Sequence, residues 1–125
     1  MAVRNYSIIP LDAGAAYRNA YMVRWDGLLN GDEGQAIDLA AYADRSIQIL
    51  GTPSVGGSAR IEGSLLPLPT LASDYATLTD PQGNNLDCTV VKIEAVSEAT
   101  RWLRPRITAG DGSTNFSVIL LAIRK

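Results

Sequence analysis

Apolar and polar residues alternate along this chain in short runs. Across residues 21–28, Tyr21, Val23 and Trp25 fall on one side and Arg24 and Asp26 on the other, the period of two that a half-buried strand imposes. The alternation returns in residues 45–50, with Ile47 and Ile49 on one face. It returns in 59–63, where Arg60 and Glu62 point outward, and in 89–96, where Val91, Ile93 and Ala95 form the inward face and Lys92 and Glu94 the outward one. In 101–108, Leu103, Pro105 and Ile107 share the core face and Trp102, Arg104 and Arg106 the other. Pro105 removes a ladder donor, which places that strand at an edge or a bulge. Residues 116–123 are apolar on both faces. They predict a strand covered by a second sheet on one side and by a further layer on the other.

The punctuation between these runs is that of turns. Asp80-Pro81-Gln82-Gly83 has the residue set of a type I turn. Gly110-Asp111-Gly112 between two apolar runs predicts a hairpin. Thr52-Pro53 and Gly56-Gly57 mark a turn across 51–58. Asn30-Gly31-Asp32-Glu33-Gly34 reads as a solvated turn, since its acids lack the ligand spacing of a calcium loop. Residues 35–39 predict a short strand around Ile37, and 38–44 one helical turn. Pro67 and Pro69 make 65–71 a loop despite its leucines, so those leucines either fold back onto the core or touch a partner. The first 11 residues are a short strand or an arm that orders only on a partner; 12–20 are loop or a helical turn. Eight to ten short strands without a convincing helix predict an all-β fold, a two-sheet antiparallel β-sandwich, jelly-roll-like.

Composition narrows the function. A chain of 125 residues, 46% hydrophobic and 19% charged, predicts a single globular domain over 1–125. No apolar run is long enough for a helical membrane span and no leader pattern precedes the first strand, so use without secretion and without a membrane is expected. There is no histidine, which removes the usual Ser-His and Cys-His dyads and the usual transition-metal ligand. Cys88, the one cysteine, reads as a small buried residue. No catalytic residue, metal site or cofactor is expected, and the chain is not read as an enzyme. A net charge of −2 leaves no electrostatic footprint for nucleic acid.

Nine of the basic residues are arginine and two, Lys92 and Lys125, are lysine. Arginine is enriched at protein interfaces, where lysine is depleted. Trp102 beside Arg104 and Arg106 is therefore a candidate contact face. Tyr6 and Ile8 of the N-terminal segment and Leu66 and Leu68 of the proline-containing loop are further candidates. The doubly apolar last strand predicts a homodimer, because a monomer rarely exposes such a face.

Several blocks taken together resemble a known family. They are 43–49 (Ala-Asp-Arg-Ser-Ile-Gln-Ile), 59–64 (Ala-Arg-Ile-Glu-Gly-Ser), 75–84 (Tyr-Ala-Thr-Leu-Thr-Asp-Pro-Gln-Gly-Asn) and 101–107 (Arg-Trp-Leu-Arg-Pro-Arg-Ile), followed by Gly110-Asp111-Gly112. In content and order they are similar to the cement, decoration or head-stabilising proteins of tailed bacteriophages. The chain departs from that pattern at Leu65-Leu66-Pro67-Leu68-Pro69, where a short Gly/Asn-Asp-Gly turn is usual. The resemblance implies a non-enzymatic β-sandwich on the outside of a capsid, with the major capsid protein as partner, often as a dimer. The alternative is a carbohydrate- or receptor-binding β-sandwich module of a tail or surface protein.

Overall fold

The computed structural model describes residues 2–11 and 19–124; the loop or helical turn expected over 12–20 falls mostly outside them. Twelve strands follow in order: β1 (Val3–Arg4), β2 (Tyr6–Ile8), β3 (Ala20–Leu29), β4 (Glu33–Gly34), β5 (Ile37–Asp38), β6 (Asp44–Thr52), β7 (Ser58–Ser64), β8 (Ala76–Thr77), β9 (Asp87–Cys88), β10 (Lys92–Val96), β11 (Trp102–Ala109) and β12 (Asn115–Ile123). They build two sheets. One runs β1-β4-β11-β7-β8, with β5 also on β11 and β9 also on β7; the other runs β10-β6-β12-β3-β2. All pairings are antiparallel except β1 with β4. The result is an all-β sandwich.

The core lies where the alternation puts it. Val23, Trp25, Ile47, Ile49, Leu103, Ile107, Phe116, Val118 and Leu120 are buried between the sheets. The indole N–H of Trp25 donates to the Gln35 carbonyl at 3.0 Å, so its one polar atom is satisfied. Cys88 is buried as well, and burial pushes its thiol pKa up. Leu103 is fully enclosed. Leu103→Ala is expected to destabilise the fold by about 2–5 kcal/mol, read as a shift of the denaturant midpoint at unchanged slope.

Several local readings change once tertiary pairing is known. The glycine turn 110–112 does not close a hairpin. It carries the chain from β11 in one sheet to β12 in the other, with the Asp111 carbonyl accepting from Thr114 N–H. Pro105 is in neither an edge strand nor a bulge, because β11 lies inside its sheet. It is tolerated because on one side β11 meets β4 only at Arg106 and β5 only at Trp102 and Leu103, so Pro105 faces the break between them. Gly34 closes that break. A Cβ there would come within 2.7 Å of both the proline ring and the Trp25 ring. The helical turn expected near residue 40 is a β-turn in which Tyr42 N–H donates to the Leu39 carbonyl. The Asp80 turn forms as predicted: Gly83 N–H donates to the Asp80 carbonyl, and the Asp80 carboxylate accepts from Gln82 and Asn84 N–H.

The N-terminal segment is structured within the single chain, so the arm ordered only on a partner gives way to the strand reading. β1 pairs with β4 and β2 with β3, which places the segment on both sheets. Tyr6 packs edge-on against Trp25 at 5.9 Å. The anchor is Asp32, which is not solvated as expected but 4% exposed. Its carboxylate accepts from Ala2 N–H at 3.0 Å, Arg4 Nε at 2.8 Å and Leu29 N–H at 3.0 Å. Burial alone would raise the Asp32 pKa; these donors outweigh it and hold the carboxyl below its ordinary range.

Candidate interaction surface

Trp102, Arg104 and Arg106 do share the outward face of β11, as their spacing requires. Opposite them on β7 stand Ser64, Glu62 and Arg60. Arg104 is not offered to a partner. It is 6% exposed, with Nε 2.8 Å from Glu62 and Nη1 2.9 Å from Glu33. The Tyr75 ring lies 3.8 Å from its guanidinium carbon, and Nη2 finds no hydrogen-bond partner among the described residues. Glu62, expected outside, is 2% exposed and also binds Arg106 at 3.2 Å. The outward face of this sheet is thus roofed at its centre by Tyr75.

Most other arginines are also engaged within the chain. Arg4 pairs with Asp32, Arg24 with Asp26, Arg60 with Asp87 and Arg101 with Asp38, at 2.7 to 3.3 Å. Arg45 is buried with no carboxylate partner among the described residues. Its Nε donates to the Tyr42 carbonyl, Nη1 to the Glu98 carbonyl and Thr100 Oγ1, and Nη2 to the Leu39 and Thr100 carbonyls. Desolvation lowers its pKa. The arginine excess read from the sequence as interface chemistry is therefore largely spent on internal ion pairs and carbonyl contacts.

What remains open to a partner is apolar. In the loop from Leu65 to Leu71, Leu65 is 75% exposed, Leu66 46%, Leu68 77% and Leu71 64%. The loop is nevertheless held. The half-buried Trp102 indole donates to the Leu66 carbonyl at 3.1 Å, and the Asp74 carboxylate accepts from Thr70 and Leu71 N–H at 2.9 Å. Between this loop, Tyr75 and the segment Glu98–Thr100 lies a groove of about 440 Å³. No protein-family model matches the chain, and no curated protein matches its sequence. Among the described residues no His/Cys/Asp/Glu group could hold a metal ion.

The second apolar surface is the outward face of the β10-β6-β12-β3-β2 sheet. Met22, Ile93, Ile119 and Leu121 line a shallow hollow there, with Ser46 and Gln48 between them. The last strand is covered on one face only: Ile119 and Leu121 are half-buried and no second layer lies over them among the described residues. β10 reverses its predicted faces. Lys92 and Glu94 pair with Ile49 and Ile47 and so share the inward side, while Ile93 and Ala95 pair with Gln48 and Ser46 and point out. Ile93 is 67% exposed. Of the remaining candidates, Ile8 is exposed on the edge strand β2 and Tyr6 is half-buried. The prolines mark all four leucines of this loop as candidates to fold back or to touch a partner, and Leu65 and Leu71 are exposed together with the contact candidates Leu66 and Leu68.

Proposed function

We propose that this chain is a structural virion protein that binds the outer surface of a bacteriophage capsid and cements neighbouring major capsid protein subunits. The reading rests on the block resemblance together with one structural observation: four leucines held out into solvent on a loop that its own sandwich anchors. An apolar loop already ordered before contact binds without a large ordering cost. A rigid sandwich lets several modest contacts act together. Trp25 is in the core and the half-buried Trp102 ring already carries the Arg101 guanidinium 5.3 Å from its centroid, so the carbohydrate-binding alternative is the weaker one.

The test is binding to empty shells assembled from the major capsid protein encoded by the same genome. Leu66→Ser combined with Leu68→Ser is expected to weaken binding by about 2 kcal/mol or more, roughly thirtyfold. The thermal midpoint should barely move, because both side chains are already in solvent. Parental binding by the double variant would remove this loop from the contact, and failure of the parent to bind shells would remove the capsid reading.

A further inference from the structure

The free edge of β10 is an unpaired template. Among the described residues β10 pairs with β6 alone, and an unpaired edge can accept another strand. Natural edges are commonly blunted by inward-pointing charges, and β10 has two, Lys92 and Glu94, 3.9 Å apart and weakly paired. Their spacing decides what the edge excludes and what it admits. In parallel, in-register pairing with a second copy, Lys92 meets Lys92 and Glu94 meets Glu94. In antiparallel pairing centred on Lys92 or on Glu94, like charges again stand opposite. Centred on Ile93, however, each Lys92 stands opposite the other copy's Glu94, twice over. Directly opposed unlike charges stabilise a strand pair and like charges oppose it.

On the other face the same register sets Ile93 against Ile93 and Val91 against Ala95. Ile93 and Val91 are 67% and 56% exposed in the single chain, so this is the apolar area that the contact would cover. A two-fold axis through Ile93 is also the self-complementary geometry that a closed dimer requires.

We propose that two copies of this chain join edge to edge through β10, in antiparallel register about Ile93, to form one continuous ten-stranded sheet. The dimer is independent of the capsid reading, and its test needs no shell. A contact limited to one strand edge is small, so dissociation on the order of 10–100 µM is expected. Light scattering and sedimentation over a concentration series should show the parent passing from monomer to dimer in that range. Lys92→Glu and Glu94→Lys, each alone, should weaken the dimer at least tenfold. An equimolar mixture of these two variants should recover parental affinity, because every opposed pair is then unlike. That recovery also shows that both variants are folded. Leu121→Glu, on the sheet face away from the seam, should dimerise as the parent does.

A parent that stays monomeric throughout, single variants that dimerise as well as the parent, or a mixture that fails to recover would each overturn the proposal. Loss of the dimer in Leu121→Glu would also overturn it, and would move the contact to the sheet face.

Discussion

Glu62→Ala will destabilise the domain by about 3–5 kcal/mol, the cost of breaking a buried ion pair by removing one partner. Glu62 is 2% exposed and is bound by Arg104 and Arg106 together. Without it Arg104 keeps only Glu33 and the Tyr75 ring, in a site closed to water. Arg104→Ala should cost a similar amount for the mirror reason, so that substitution reports on folding and cannot by itself report on binding. Removing both charges is the informative control. Glu62→Leu with Arg104→Met leaves Arg106 directly opposite Glu33 in the β4–β11 ladder, free to pair there. The double variant should lose less than the sum of the single losses. Urea melts of the parent, Glu62→Leu, Arg104→Met and the double variant provide the cycle; strict additivity would show that the charges do not act as a unit.

Arg45→Ala is the second large effect, expected at about 3 kcal/mol or more. The guanidinium is the common hydrogen-bond donor for four carbonyls and a hydroxyl drawn from the turn near Leu39 and Tyr42 and the segment Glu98–Thr100. Truncation leaves all five acceptors without that donor and separates two segments that meet across the end of β6. Arg45→Lys should recover only part of the loss, because three donors on one atom cannot reproduce a planar fork. The readout is the thermal midpoint together with hydrogen exchange, which should rise in both segments and stay flat in β12. An unchanged midpoint for Arg45→Ala would mean that water replaces the guanidinium at no cost.

The strands with two paired neighbours were the legible ones. β3, β6, β11 and β12 each put their inner alternation into the core, because a sheet with one face packed makes side-chain direction follow sequence parity. β10 was misread at the edge, where the inward side lies at the rim of the core and can hold Lys92 and Glu94 while Ile93 stays in solvent. Arg104 and Glu62 were misread for a different reason. The partner that buries each is 42 residues away, and no local pattern announces that Tyr75 will close over them. The turn at Gly110 was found, but turn chemistry does not say which sheet the next strand joins. Asp32 shows the same limit: its acidic, glycine-flanked setting looks solvated until the N-terminal strands fold onto it.

The position of β12 has a consequence for the order of folding. It comes last of the twelve strands in chain order, yet it sits at the centre of its sheet, between β3 and β6. Until it arrives, those two long strands each carry an open edge toward the place it will fill, and they have no ladder with one another. The five-stranded sheet therefore cannot grow by adding neighbours in chain order. Its closure waits for a non-local insertion, which slows folding. During that interval the nascent chain holds two apolar strand edges of the kind that aggregate. Insertion of β12, more than the pairing of any earlier strand, is the event that commits this sheet to its native arrangement.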